Sequence, residues 1–369
     1  MRVGIVTVHD SANIGSYLQA IAMQEIVKRN GDEPYFIKFR SSFDTLMLFL
    51  GYNNSPSARS LIGFVKFLIR AIRNPKQTYQ LLNKYLVYKK DWGKYESIIS
   101  LKDAKKHKLD VVLLGSDEIW NLNKSTFENQ VFYGMGIYAS RKVGYAVSAG
   151  DMCFKKWRNY PHILEAISCL DDIFVRDKRT YELLKENNIK VTDIVCDPTL
   201  QIDICHMMKS KKETNVPDGK YILIYAYNVG ENAREAIKTF ADGEGLKTVA
   251  VSLMQDWCDE YCNCSPLEFG AVLENAEYVY TSTFHGTIFS LLYKTRTAIV
   301  PETPKVKEVV ELLNGRSYVL SKNFTLEELR RIYEQKRDYS VMEKELSFIR
   351  SNSYGLYSHA ILGGINENL

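Results

Sequence analysis

The chain has 369 residues, 46% apolar and 25% charged, the balance of an ordinary globular protein and long enough to expect two domains. A formal net charge of +4 is too small to argue for nucleic acid as a partner, no Lys/Arg cluster interleaved with aromatics coincides with a nucleic-acid motif, and no apolar run approaches the ~18 residues of a membrane span. Seven cysteines at irregular positions, with no basic leader ahead of the opening strand, point to reduced thiols and a cytoplasmic protein without a signal peptide.

Taken in chain order, the first strand is expected over residues 3–8, followed by H-D-S-A-N-I-G-S-Y-L-Q-A and a helix over 17–28. Asn13 and Gly15 fall where strand gives way to helix, so an anion or sugar can approach the backbone there. A second strand is expected over 34–39. Residues 41–100 then break the alternation and read as an all-helical insertion.

Within that insertion, Ser60–Arg73 reads S-L-I-G-F-V-K-F-L-I-R-A-I-R, and a helical projection sets Arg59, Lys66, Arg70 and Arg73 on one narrow stripe. Pro56–Trp92 holds eight basic residues and one acidic residue. Two readings fit: residues 59–73 touch an anionic membrane as a peripheral interfacial helix, or the helix is mostly buried and only its basic edge reaches solvent.

Strands resume at 111–114, 142–148, 172–176 and 193–196, with a helix over 178–186. The first of these breaks into G-S-D-E-I-W-N (Gly115–Asn121) and the third ends in V-R-D-K (Val175–Lys178). A charged break at Met208–Lys220, containing Pro217 and Gly219, is the expected linker. Beyond it, strands at 221–227, 247–252, 277–281 and 297–300 alternate with helices at 231–241 and 305–313. Cys258, Cys262 and Cys264 form C-x-x-x-C-x-C with no histidine at finger spacing, which reads as free thiols in a loop rather than zinc.

The strand at 277–281 runs into T-S-T-F-H-G-T. This sets the His285 imidazole at the carboxyl end of a strand, beside helix N-terminal amides that favour anions. The alternation predicts an α/β protein of two Rossmann-like domains facing a central cleft. Expected bounds are 1–205, carrying the insertion at about 41–100, then 220–325, with C-terminal helices over 326–369.

Five segments in order resemble the polysaccharide pyruvyltransferase family: Asn13-Ile14-Gly15-Ser16-Tyr17-Leu18-Gln19, Gly115–Asn121, Val175-Arg176-Asp177-Lys178, Asp197-Pro198-Thr199 and Thr283-Phe284-His285-Gly286. The resemblance covers roughly residues 1–320. It implies a GT-B-like architecture, with the C-terminal helices over 326–369 packing back across the domains, and transfer of the enolpyruvyl unit of phosphoenolpyruvate onto a sugar, or a lipid-linked oligosaccharide, of a cell-surface polysaccharide precursor. No cofactor or metal is implied. Two other readings stand beside it: a GT-B glycosyltransferase using a nucleotide sugar, and a non-catalytic sugar-binding relative.

That reaction needs a proton donor for the vinyl carbon, a base for the sugar hydroxyl, and cations for a carboxylate and a phosphate. His285 is the candidate acid or phosphate partner. Arg176, at the end of its strand, is the candidate bidentate cation or else pairs with a local acid. Asp117 orients or deprotonates a hydroxyl, or caps the helix after it. Trp120 offers a face to a sugar ring or sits in the core. Asn13, Gly15, Ser116, Lys178, Ser282, Thr283 and Gly286 complete the candidate substrate-binding set. Some branches of the family carry arginine two residues before the histidine, to bind the donor's phosphate. Thr283 stands there here, so either Lys305, after the strand at 297–300, or another cation supplies that charge, or the donor differs.

Overall fold

Short β-branched runs alternating with helices build two parallel sheets in a computed structural model, which describes all residues except 53–60, 96, 211–213, 215 and 364–369. Contacts divide the chain into two units. The first comprises Met1–Ala12, Ser16–Ile202 and the end of the chain from Ile349; the second comprises Asn13–Gly15 and Asp203–Phe348.

The first unit opens with β1 (Arg2–Val6), α1 (Ile14–Arg29), β2 (Glu33–Lys38), α2 (Ser42–Phe49), α3 (Leu61–Arg73), α4 (Pro75–Asp91), β3 (Ile98–Ser100), α5 (Leu101–Ala104) and β4 (Leu109–Leu114). It continues with β5 (Ala139–Val147), α6 (Phe154–Trp157), α7 (Pro161–Ser168), β6 (Asp172–Val175), α8 (Lys178–Glu186), β7 (Asp193–Ile194) and α9 (Pro198–Gln201). The sheet order is β3-β2-β1-β4-β5-β6-β7. All its pairings are parallel; Val3, for example, lies opposite both Pro34 and Val111. One face buries Val112, Leu114, Trp120, Phe132, Trp157, Ile163 and Ile167.

The second unit holds β8 (Tyr221–Tyr225), α10 (Glu231–Glu244), β9 (Lys247–Val251), β10 (Glu260–Cys262), α11 (Phe269–Glu274), β11 (Tyr278–Thr281), α12 (Phe284–Leu292), β12 (Arg296–Ile299), α13 (Pro304–Leu312) and α14 (Leu326–Glu334). Its sheet order is β10-β9-β8-β11-β12, again wholly parallel. α15 (Ser340–Leu362) ends the described chain, and its last part is tied into the first unit: Tyr357 donates to Asp32 (2.9 Å), and Ala360 O accepts from Arg141 Nε (2.9 Å).

In both sheets the order reverses direction beside the first strand, between β1 and β4 and between β8 and β11. Such switch points open a crevice at the carboxyl ends of the strands. The expected α/β class of two Rossmann-like domains is what forms.

Several expectations need correction. The insertion at 41–100 is not all helical, because its last residues form β3 on the outer side of β2. The cysteine-bearing stretch contains β10, paired to β9 through Cys262 and Val251. Both are three-residue edge strands, too short to show a period. The segment 326–369 does not return as one block either, since Leu329, Ile332 and Tyr333 of α14 belong to the second unit's own core. Of the expected linker, 211–213 and 215 lie outside the described residues, while Lys209 is tied to the second unit by its amide on Leu267 O (2.8 Å) and its ammonium 3.4 Å from Glu268.

Candidate functional site

In the first unit, β4 runs into Gly115, whose φ of +138° and whose missing Cβ, which would lie 2.0 Å from Tyr145 O, admit glycine alone. Ser116 is buried; its carbonyl accepts from Thr7 Oγ1 (3.1 Å) and its Oγ from the Asp117 amide (2.6 Å). The turn leaves Asp117 half-buried at a φ of +73°, uncommon for a residue with a side chain. Its Oδ2 accepts from Ser16 Oγ (2.7 Å) and its Oδ1 from the Glu118 amide (2.8 Å). A carboxylate is thus held at the β1/β4 switch point.

Arg176 follows β6. Its side chain is 4% exposed and its Nη1 lies 2.9 Å from Asp197 Oδ2, whose side chain is 0% exposed. Burial alone would weaken the guanidinium's hold on its proton, but Asp197, with Asp117, Asp177 and Glu118, holds it above its usual value. Of the two readings of Arg176, this local acid is the partner seen. Asp197 Oδ1 also caps α9 through the Thr199 amide (3.0 Å).

Two expectations fail on burial. Trp120 is fully buried, with its indole N–H on Phe132 O (3.0 Å), so it has no face for a sugar. Lys178 is the opposite case, 77% exposed and 3.9 Å from Glu182 in a surface i,i+4 pair. Asp177, beside it, caps α8 by accepting from the Thr180 amide (2.7 Å).

In the second unit, hydroxyls build the turn from β11 into α12. Thr281 Oγ1 donates to Tyr225 O (2.7 Å) and accepts from the Thr283 amide (3.1 Å); Thr283 Oγ1 accepts from the Gly286 amide (3.0 Å) and so caps α12. Ser282 Oγ accepts from the Tyr227 amide (3.3 Å). A Cβ at Gly286 would lie 2.2 Å from Thr281 Oγ1 and 2.4 Å from Thr283 Oγ1. Thr283 is therefore a structural cap, and its hydroxyl is occupied by the helix.

That cap places His285, 9% exposed, in the first turn of α12 at the β8/β11 switch point. The Phe284 ring meets it edge-on at 5.0 Å, and Lys305 Nζ lies 5.7 Å from the centre of the same Phe284 ring. A cation and an imidazole therefore flank one phenyl at a helix N-terminus, a setting that favours an anion. Asn13–Gly15 group with this unit: Asn13 Oδ1 accepts from Tyr225 Oη (3.1 Å), and a Cβ on Gly15 would lie 2.0 Å from His285 Nδ1.

Sequence reasoning missed Ser16 and Tyr225 as partners of candidate residues, and a cavity of about 430 Å³ lined by Asn228, Val300, Pro301, Glu302, Leu320, Ser321 and Lys322. The only available signal for the cavity was its place at the end of β12. Cys262 and Cys264 lie side by side, with the Cys264 thiol raised by its hydrogen bond to Cys262 and by burial, and Cys258 is pushed up to about 12 by burial. Among the described residues, no group of three or more His, Cys, Asp or Glu is placed to hold a metal ion, and no helix is long and apolar enough to cross a membrane.

The family described as "Polysaccharide pyruvyl transferase" matches across residues 13–303, a span that takes in both switch-point turns. No curated protein gives a significant match. Among solved structures, the UDP-GlcNAc 2-epimerase of Methanocaldococcus jannaschii is similar at a TM-score of 0.51 and 14% identity, over 96% of this chain and 100% of that one. The Neisseria meningitidis UDP-GlcNAc 2-epimerase bound to UDP-GlcNAc is similar at 0.51 and 12%, over 99% and 100%. An alpha-glucosyltransferase solved with UDP and a 13-mer DNA is similar at 0.50 and 12%, over 98% and 99%. At these identities the likenesses establish the fold, which is GT-B-like, and nothing further.

Proposed function

We propose, from the premise that this chain belongs to the polysaccharide pyruvyl transferase family and is thus a transferase, that it moves the enolpyruvyl group of phosphoenolpyruvate onto a sugar of a cell-surface polysaccharide precursor. The observation that carries this reading is the family match itself, which runs from Asn13 through the His285 turn to residue 303. In the overall chemistry, one sugar hydroxyl adds to C2 of the donor while C3 takes a proton, and a second hydroxyl of the same sugar displaces phosphate to close the ketal.

The second unit supplies the donor side. His285, at the α12 N-terminus, protonates C3 or meets the phosphate, and Lys305 adds the positive charge that Thr283 cannot. Phosphoenolpyruvate carries two anionic groups, so desolvating both needs more than one positive partner. The first unit supplies the acceptor side, with Asp117 accepting the hydroxyl proton while Ser16 fixes its second oxygen. Arg176, already engaged by Asp197, acts as a positioning residue whose charge also bears on Asp117. The peripheral membrane contact expected of residues 59–73 does not enter this reading and has its own support below.

The test is turnover of phosphoenolpyruvate with candidate sugar acceptors in D₂O, following released phosphate and the product methyl by NMR. Pyruvyl transfer gives phosphate only when acceptor is present, and a methyl carrying one deuterium. His285→Ala should lower turnover roughly 100-fold or more with the fold intact by circular dichroism. Consumption of a nucleotide sugar with phosphoenolpyruvate untouched would hand the function to the glycosyltransferase reading. Binding of sugars without turnover of either donor would favour a non-catalytic relative.

A further inference from the structure

Helix α3 leaves its aliphatic face in solvent. Phe64, Val65, Leu68 and Ile69 are exposed, and Ile72 is 77% exposed. The expectation of a mostly buried helix is thereby set aside. At 100° per residue these five side chains span about 140° of the helix, and Lys66, Arg70 and Arg73 occupy the next ~60° of arc. Arg59, expected on the same stripe, lies outside the described residues. The adjoining α4 also exposes apolar side chains, Tyr79, Leu82 and Leu86 at i, i+3, i+7, while Tyr85 and Tyr88 turn inward against Phe49.

The exposed charge on this pair of helices is of one sign, since the acidic residue that ends α4, Asp91, is buried. From Leu61 to Lys90 the sequence has seven basic residues and no acidic one. Lys66, Arg73, Lys76, Lys89 and Lys90 are exposed, and none is in an ion pair among the described residues. Arg70 is tethered by its Nη2 on Leu50 O (2.8 Å). An apolar arc edged by unneutralised cations, on a helix about 20 Å long, is unsuited to water.

We infer that α3, supported by α4, is a docking face for an anionic lipid bilayer, with the aliphatic arc entering the headgroup boundary and the basic edge meeting anionic headgroups. The lipid surface fits both features at once, since buried apolar area and attraction to anionic lipid act together on an interfacial helix. A second copy of the chain fits poorly, because pairing the same face with itself would bring the basic edge of Lys66, Arg70 and Arg73 against its own copy.

The test is vesicle co-sedimentation of the full chain, with no donor or acceptor present, so its outcome is independent of the pyruvyl transfer reading. Vesicles of phosphatidylcholine alone are compared with vesicles carrying 30 mol% phosphatidylglycerol. At least tenfold stronger partition onto the anionic vesicles is expected, weakening as salt is raised. Each cation near such a surface is worth about fivefold, so Lys66→Glu with Arg73→Glu should cost about 25-fold or more. Val65→Asp with Ile72→Asp should abolish partition at low salt. All four positions are exposed, so the variants should keep the wild-type circular dichroism and melting temperature.

Equal partition onto neutral vesicles, no partition onto either, or unaltered partition in the aspartate variant would overturn the inference. So would a dimer in analytical ultracentrifugation that the aspartate variant dissociates while vesicles stay unbound, since the face would then belong to a second copy.

Discussion

Deleting the Asp197 carboxylate should be among the most damaging single changes in the first unit. Its side chain is 0% exposed and lies 2.9 Å from Arg176, itself 4% exposed. Asp197→Ala leaves the guanidinium buried without its partner, which costs about 3–5 kcal/mol. The α9 cap on the Thr199 amide is lost as well, adding about 0.5–2 kcal/mol. Asp117, Asp177 and Glu118 also act on the Arg176 charge and offset part of the loss, so the net is about 4 kcal/mol. Asp197→Asn keeps an oxygen for the cap and loses only the charge, and should cost about half as much. Replacing both partners, Arg176→Met with Asp197→Leu, should lie nearer the wild type than Asp197→Ala does, because an apolar pair carries no desolvated charge. The assay is urea unfolding followed by tryptophan fluorescence, which reports mainly on the first unit, where Trp92, Trp120 and Trp157 lie. A loss below about 1 kcal/mol in Asp197→Ala would refute the reasoning, because the pair would then be behaving as a solvated one.

Two further outcomes are expected. His9 is 3% exposed among Phe36, Phe39 and Tyr95, and burial lowers its proton affinity. Its neutral form is favoured when folded, so below the ordinary histidine value near 6.5 the unfolded chain binds more protons; stability is full above that pH and falls as pH drops, by up to about 1.4 kcal/mol per pH unit. Melting curves between pH 7.5 and 5.5 should show this acid-side slope, and His9→Phe should flatten it even if the variant is less stable. Gly286→Ala should destabilise the second unit by about 1–3 kcal/mol, because the added Cβ would meet both threonine hydroxyls of the α12 turn at 2.2 and 2.4 Å. A melting temperature for that variant equal to the wild type would mean the turn relaxes freely.

Much of this protein was determined locally. Runs such as L-D-V-V-L-L, apart from its exposed Asp110, and Y-I-L-I-Y form buried parallel strands because both faces are covered. The small and polar residues after β4 and β11, Gly115-Ser116-Asp117 and Ser282-Thr283, end those strands where backbone geometry and capping hydroxyls demand it. α8 runs over the expected 178–186 because Asp177 is a cap that the sequence already shows.

Other features needed the tertiary structure. β3 and β10 exist only because β2 and β9 present an edge for three residues to join. Arg176 and Trp120 sit in motif segments like candidate ligand-binding residues, yet one is engaged by Asp197, 21 residues away, and the other donates into the core. The sequence marks α3 as amphipathic, but only the fold shows its aliphatic arc left bare. The division follows from the range of the forces: periodicity, caps and turns act over a few residues, whereas the partner of a buried charge and the cover over an apolar face are chosen by segments far away in the chain.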